Sequence, residues 1–240
     1  MSARPRVGLF VTCLVDLVRP QIGFAAAKLL EQSGCDVVVP KAQTCCGQPA
    51  WNAGADKDAR AIAEQVIAAF GEFDYIVAPS GSCAGMIKRH YPEVLQGDPR
   101  ALALAVKTHE LTSFLVNVRG MKAVAAKCEA RACYHDSCSS LREMRVHEQP
   151  RTLLATVEGL SISDLTDGEV CCGFGGLFSV KYPEISERMA DDKIADATAT
   201  GADMLIGGDL GCLLHLEGRM KRQGKTMRVR HVAEVLADEL

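Results

Sequence analysis

Eleven cysteines dominate the chemistry available to this 240-residue sequence. Two pairs of them open the same tripeptide, Cys-Cys-Gly, which begins at Cys45 and again at Cys171. In each copy a lone cysteine precedes the tripeptide and another follows it. The first cysteine set consists of Cys13, Cys45, Cys46 and Cys83. The second cysteine set consists of Cys138, Cys171, Cys172 and Cys212. Thiolates grouped in this way bind soft metals or take part in thiol redox chemistry.

The two sets form an internal repeat. Between the leading cysteine and its tripeptide lie 31 and 32 residues, and between the cysteine pair and the trailing cysteine lie 36 and 39 residues. Chance would have to match all of these intervals, so duplication of one structural unit explains them better. We therefore predict two tandem units, residues 1–120 and 121–240, with a joint near residues 119–122.

Strands and helices alternate in both predicted units. We predict strands over 6–13, 36–40, 75–79, part of 123–135, 161–165 and 204–207, and helices over 20–32, 56–70 and 184–197. Such alternation predicts an α/β fold in which each unit is a small parallel sheet flanked by helices. We expect a pseudo-twofold axis to relate the two units.

Both cysteine sets fall where such a fold places its ligands. The lone cysteines lie at or just after predicted strand ends, and each Cys-Cys-Gly lies in a loop after a strand. Ligands of parallel sheets bind at the carboxyl ends of the strands. The four thiols of each set should therefore meet in one pocket.

Composition excludes several other classes. The net charge of -3 gives no reason to expect a nucleic-acid groove. The longest stretch without a charged residue, 42–55, is too short for a membrane span. Because the first residues lack a cleavage site of the secretory kind, we expect a cytoplasmic protein. Thiols stay reduced there, which favours metal binding or redox chemistry over disulfide bonds.

The spacing also bears on the kind of metal. Structural zinc sites usually use pairs of Cys-x₂₋₄-Cys knuckles, which neither cysteine set contains. Side chains of adjacent cysteines diverge, and several irons spread over a few ångströms accept divergent thiolates more readily than one tetrahedral ion does. We therefore favour iron–sulfur clusters of the 4Fe-4S type, up to two per chain. Zinc in one unit and a thiol-based assembly module stay open as alternatives.

The repeated Cys-x₃₁-Cys-Cys-Gly-x₃₅-Cys pattern resembles the CCG cysteine-rich domain found in heterodisulfide reductases and their relatives. The strings 79–86, Pro-Ser-Gly-Ser-Cys-Ala-Gly-Met, and 135–138, His-Asp-Ser-Cys, support the resemblance. A short chain with two such units and no ferredoxin domain is most similar to the A subunits of lactate utilisation complexes. The resemblance covers nearly the whole chain. It implies a part in oxidising L-lactate to pyruvate, together with separate B and C subunits.

The sequence departs from the heterodisulfide reductase pattern at one position in each unit. There the last cysteine belongs to Cys-x-x-Cys, whereas Met86 and His215 stand at the fifth positions here. Methionine is a poor ligand and is predicted to be core, while His215 is a candidate metal ligand. His135, three residues before Cys138, either hydrogen-bonds to the site or ends its strand. This departure leaves the cluster type open.

The function predicted from these observations is electron transfer. The sequence contains no nucleotide-binding G-x-G-x-x-G and no catalytic base placed by a motif, so we expect a non-catalytic or co-catalytic subunit of a lactate-oxidising complex. A thiol redox subunit like heterodisulfide reductase is a further alternative. The polar, glycine-bearing loops 48–54 and 174–182 are predicted to face the partner subunits.

Overall fold

The computed structural model describes residues 4–239. The strands are β1 (Arg6–Leu9), β2 (Asp36–Val38), β3 (Tyr75–Ala78), β4 (Thr108–Glu110), β5 (Lys127–His135), β6 (Glu158–Ser163), β7 (Met204–Gly207) and β8 (Arg228–His231). The helices are α1 (Cys13–Val18), α2 (Gln21–Gln32), α3 (Gln48–Asn52), α4 (Asp56–Phe70), α5 (Gly81–Gly85), α6 (Tyr91–Val94), α7 (Pro99–Lys107), α8 (Leu111–Ser113), α9 (Cys138–Arg142), α10 (Glu148–Leu154), α11 (Phe178–Lys181), α12 (Pro183–Ala199), α13 (Leu210–Arg222) and α14 (Val232–Leu236). Two π-helical turns, Met86–His90 and Phe114–Val118, extend α5 and α8.

Two four-stranded sheets share one topology. The strand orders are β2-β1-β3-β4 and β6-β5-β7-β8, and every pairing is parallel. The predicted α/β fold with two small parallel sheets is confirmed. The boundary between residues 120 and 121 stays a prediction.

The fourth strand of each sheet was not predicted from the sequence. β4 reads Thr-His-Glu and β8 reads Arg-Val-Arg-His, so neither has the apolar run by which a buried strand is recognised. Both lie at a sheet edge, where a short polar strand is tolerated. β1 is also shorter than predicted, because it ends at Leu9 and Cys13 already begins α1.

Local hydrogen bonds fix where the cysteine-bearing helices begin. Thr12 caps α1, Ser80 caps α5 and Ser137 caps α9, each through a side-chain oxygen that accepts an N–H of the first helical turn. The corresponding residue before α13 is Asp209, whose carboxylate reaches the other unit instead. The lone cysteines stand at the first position of α1 and α9 and at the third position of α5 and α13.

The two units meet through equivalent elements in both directions. α2 packs against α14, and the equivalent pair α10 and α8 also meets; the same holds for α1 with α13 and for α9 with α5. Reciprocal contacts of this kind are what a twofold axis produces. One hydrophobic core runs through both units, since Val7, Leu9 and Val77 of the first sheet share it with Leu205 of the second. The other face of the first sheet has a core of its own beneath α4 and α6.

A buried histidine of the second unit contacts the first unit directly. The Nδ1 atom of His231 accepts the Ala233 amide hydrogen at 3.1 Å, and its Nε2 atom contacts the Pro79 carbonyl oxygen of the other unit at 3.1 Å. These partners assign the neutral ring that donates from Nε2. Burial lowers the pKa of His231 to about 4, which agrees with that assignment.

Candidate metal centres

The structure brings the first cysteine set together beyond the carboxyl ends of β1 and β3. The sulfurs of Cys13 and Cys45 are 3.9 Å apart. The thiol of Cys46 lies against those of Cys45 and Cys83, which completes a row of four sulfurs. None of the four cysteines is in a disulfide bond. We call this group the first centre.

The second cysteine set repeats the arrangement. The thiol of Cys171 lies against those of Cys138 and Cys172, and Cys172 in turn contacts Cys212. These four cysteines are also free thiols. We call this group the second centre. The positions of all eight sulfurs agree with the convergence expected from the sequence, while their role as ligands stays a prediction.

Glycine bends the backbone at both Cys-Cys-Gly tripeptides. Gly47 and Gly173 adopt φ values of 84° and 88°, in the left-handed region that other residues avoid. The bend points each glycine amide at the first sulfur of its pair, at 3.4 Å from Cys45 Sγ and Cys171 Sγ respectively. Adjacent cysteine side chains can therefore face one pocket.

The thiols of each centre are electrostatically unequal. The pKa of Cys45 is lowered because the thiols of Cys13 and Cys46 and the Gly47 amide donate to its sulfur. The pKa of Cys13 is raised by its hydrogen bond to Cys45 and by burial. In the second centre the pKa of Cys171 is lowered and that of Cys138 is raised for the same reasons. Each centre thus favours one thiolate, which gives a positive ion a point of attachment.

A cavity of about 400 Å³ opens beside the first centre. All four thiols of the first cysteine set line it, together with Phe174, Leu177 and Val180 from the other unit. Gln48 and Pro49 line the same cavity, so both predicted interface loops meet here. Val180 is 75% exposed, which leaves apolar surface at the cavity.

A buried histidine lies beside the second centre, whereas a phenylalanine occupies that place at the first. His135 is 1% exposed, and one of its ring nitrogens lies with the sulfurs of Cys172 and Cys212, all within 4.8 Å of one another. Burial lowers the pKa of His135 to about 4, so the ring is neutral. Phe10, three residues before Cys13 as His135 is before Cys138, is fully buried.

The two fifth positions differ from each other. Met86 is fully buried in the core, as predicted. The Nε2 atom of His215 lies 3.3 Å from Ser186 Oγ, and its ring is 6.0 Å from that of Phe174. His215 lies near the second centre, but the group of mutually close ligand atoms consists of His135, Cys172 and Cys212. Its role as a ligand stays a prediction.

The three remaining cysteines are buried among apolar groups. They are Cys35, Cys128 and Cys133. Burial raises the pKa of Cys133 to about 11, which keeps it protonated and unreactive at neutral pH. All three lie outside the two centres.

The family model of the cysteine-rich (CCG) domain matches this sequence twice, over residues 7–88 and 132–217. The chain belongs to the CCG cysteine-rich domain family. The two matched ranges contain all eight cysteines of the two centres, so the family and its duplication, both expected from the sequence, are confirmed.

Curated relatives within this CCG family match nearly the whole chain. Lactate utilization protein A of Geobacillus sp. (strain WCH70) is 51% identical over 235 residues, which cover 96% of this chain and 98% of that protein. Lactate utilization protein A 2 of Bacillus cereus (strain AH820) is 46% identical over 239 residues, covering 98% and 99%. The same domain organisation therefore extends from end to end in these relatives.

A solved structure shares the fold of this CCG protein at low sequence identity. A hypothetical protein from Helicobacter pylori superposes with a TM-score of 0.64 at 11% identity, and the match covers 98% of this chain and 48% of that one. The likeness concerns the fold alone. Within residues 4–239 we find no helix with the length and hydropathy required to cross a bilayer.

The donor set of both centres fits a thiophilic metal or cluster. Each offers four free thiols from one side of a sheet, and the cavity at the first centre leaves space in front of the sulfurs. The second centre adds a neutral imidazole. Sulfur donors with few oxygen atoms select iron–sulfur clusters or zinc over magnesium or calcium. The two cysteine sets could therefore bind metal.

Proposed function

We propose that this protein is an iron–sulfur electron-transfer subunit of a multi-subunit complex that oxidises L-lactate to pyruvate. The observation that carries the proposal is the duplicated four-thiol centre in a chain whose relatives are named for lactate utilisation. Two matched centres in one small protein favour a role in passing electrons between partners over a role in binding a single structural ion.

In this proposal the first and second cysteine sets each hold one cluster of the 4Fe-4S type. Such a cluster, when bound, accepts and releases one electron at a time. The side chains of this chain hold it and shield it: Tyr91 donates to the Cys46 carbonyl oxygen at 2.8 Å and fixes the first Cys-Cys-Gly turn. Ser186 donates to the Gly173 carbonyl oxygen at 2.8 Å and fixes the second.

Lactate oxidation itself is assigned to the partner subunits, the B and C subunits of such a complex. Conversion of a 2-hydroxy acid to a keto acid releases two electrons and two protons, and the protons require an acceptor beside the substrate. The histidine that lies with the sulfurs of the second centre, His135, is 1% exposed. A lactate molecule would not reach its ring, so the proposal assigns electron transfer, and not substrate binding, to this chain.

The cavity at the first centre is the proposed contact with a partner. Electrons tunnel efficiently only over short distances, so one cluster must lie close to an interface. Loops 48–54 and 174–182 meet at this cavity and carry exposed apolar side chains such as Val180. Exposed apolar surface around a functional pocket is typical of a protein–protein contact.

Assays with the subunits alone and mixed test the proposal. The isolated chain, purified without oxygen, is expected to show negligible lactate oxidation with an artificial electron acceptor. The mixture with its B and C subunits is expected to be active, and omission of this chain should abolish transfer to the physiological acceptor. Full turnover by the chain alone, or an unchanged rate without it, would contradict the proposal. Zinc without iron in active complex would favour an assembly module instead.

A further inference from the structure

His135 has a buried side chain with no hydrogen-bond partner among the described residues. It ends β5, is 1% exposed, and neither its Nδ1 nor its Nε2 atom is bonded to another group of residues 4–239. A buried polar atom left without a partner costs about 1–3 kcal/mol. Such an atom in a folded protein calls for a binding partner outside the polypeptide.

The position of the ring indicates what that partner is. One ring nitrogen and the sulfurs of Cys172 and Cys212 all lie within 4.8 Å of one another. A neutral imidazole and two thiolates at this separation are the donors that zinc and iron bind in mixed sites. No carboxylate belongs to the group, so hard cations such as calcium are excluded by its chemistry.

The first centre shows that the fold does not need a polar side chain here. Phe10 holds the equivalent place, is fully buried, and packs against Phe70 with ring centroids 5.4 Å apart. A phenyl ring of similar size therefore satisfies the packing of this corner without any unpaired nitrogen. The imidazole at the second centre incurs the free-energy cost of unpaired buried nitrogens, which the phenyl ring avoids. Coordination of a metal by the imidazole would offset that cost.

The other nearby histidine already has a partner. The Nε2 atom of His215 lies 3.3 Å from Ser186 Oγ, and the residue is only half-buried. His215 therefore has no unmet hydrogen bond of the kind that His135 has. Of the two histidines, only His135 lies in the group of mutually close donors found within residues 4–239.

We propose that the imidazole of His135 is a nitrogen ligand of the metal centre bound by the second cysteine set. The second centre is then a mixed sulfur–nitrogen site, while the first is bound by sulfur alone. This inference rests on the proposed function for the identity of the metal, but not for the ligand itself. Where the imidazole replaces one of the four thiolates as a ligand, the cluster carries less negative charge and its reduction potential rises. The second centre is in that case the better electron acceptor of the two.

X-ray absorption spectroscopy at the edge of the bound metal tests the ligand. The full chain is purified without oxygen, and the unsubstituted protein is compared with His135→Phe and His215→Gln. Phenylalanine is chosen because Phe10 shows that the fold accepts it. We expect an imidazole contribution in the unsubstituted protein and in His215→Gln, and its loss in His135→Phe. Metal retained after dialysis against a chelator should fall about ten-fold or more at the second centre of His135→Phe.

Two results would overturn the inference. One is a spectrum of the unsubstituted protein that contains sulfur scattering alone. The other is an imidazole contribution that survives in His135→Phe or disappears in His215→Gln. Pulsed EPR of the reduced, unsubstituted chain carrying ¹⁵N-histidine gives an independent reading if His135→Phe does not fold, because only a coordinated nitrogen shows strong coupling. Absence of iron and sulfide would contradict the proposed function but not this inference. In that case the absorption edge of the bound zinc would still report whether His135 is a ligand.

Discussion

The two centres have the same backbone arrangement and differ in the side chains that surround their cysteines. At the first centre the neighbouring positions are filled by Phe10 and Met86, both fully buried and apolar. At the second, His135 and His215 hold the equivalent places. Lys193 adds a further contrast: it is 2% exposed on α12 and interacts electrostatically with Cys172, while the matching position on α4 is the buried Val66.

The difference separates what builds a cysteine centre from what tunes it. Thiols, glycine bends and helix starts repeat in both units, so they make the pocket. The polar groups occur only in the second unit, so they are not needed to make it. A buried cation stabilises added negative charge nearby. If both centres hold clusters as proposed, we expect the second to hold an added electron more tightly than the first.

The largest effect is expected from removing one ligand of a centre. Cys45→Ser should lose the first cluster and Cys171→Ser the second, because each of these sulfurs lies at the bend of its Cys-Cys-Gly turn. Iron per chain should fall by roughly half in either variant. The remaining EPR signal should differ between the two, with the higher reduction potential in Cys45→Ser.

Cys35→Ser is the matched control for this pair. Cys35 is buried outside both centres and already contacts the Ser33 hydroxyl at 3.3 Å, so a hydroxyl in its place is tolerated. Its iron content should equal that of the unsubstituted protein. Equal iron content in the unsubstituted protein and in all three variants would show that Cys45 and Cys171 are not ligands.

The glycine of each tripeptide gives the next largest contrast. Gly47→Ala places a methyl group 3.2 Å from Ile62 Cγ2, whereas Gly173→Ala places one 2.6 Å from the Ser186 carbonyl oxygen. Both incur a left-handed backbone cost of about 1–2 kcal/mol. The backbone clash adds about 1–3 kcal/mol to Gly173→Ala. Thermal unfolding under nitrogen should rank unsubstituted protein, Gly47→Ala and Gly173→Ala in falling order, and the reverse ranking of the variants would show that the second turn is not tightly held.

The fold was largely predictable from the sequence, and the polar environment of the second centre was not. Apolar runs identified six of the strands, and helical spacing identified α2, α4 and α12, since burial leaves a clear periodic signal. The edge strands β4 and β8 were missed because their residues are polar. The convergence of the thiols followed from their places after strand ends. The burial of His135 next to the sulfurs of Cys172 and Cys212 could not be predicted, because a histidine three residues before a cysteine fits a strand end as well as a site beside the centre.

Acid should weaken the contact between the units through His231. Its pKa is lowered to about 4, so the unfolded chain takes up its proton first as pH falls below 6.5. The contribution of the neutral ring is complete above pH 6.5 and is lost as pH falls to about 4. A shift of this size corresponds to up to about 3 kcal/mol of unfolding free energy.

His231→Asn isolates that contribution, because asparagine can cap α14 but does not reach Pro79. The stability difference between the two proteins should be largest near pH 7 and should shrink toward pH 4. Denaturant unfolding at several pH values measures it. A difference that does not change with pH would show that the ring is not held neutral.

The smallest contrast concerns the residues before α9 and α13. Asp209 Oδ2 accepts from the Ser82 amide at 2.9 Å and from Ser80 Oγ at 3.2 Å, so it links the second unit to the first. Ser137, in contrast, caps α9 and bonds to Ser140 within its own unit. Asp209→Ala should cost about 2 kcal/mol and Ser137→Ala about 1 kcal/mol of unfolding free energy. Equal losses in denaturant titrations would mean that the bond between units adds no stability.

Iron, acid-labile sulfide and zinc counted in the full chain, purified without oxygen, test the central claim most directly. Two clusters of the 4Fe-4S type correspond to about eight irons and about eight sulfides per chain, with no zinc. The account predicts that result. Zinc at about one or two atoms per chain without sulfide would contradict it, and would assign the eight thiols to structure and not to electron transfer.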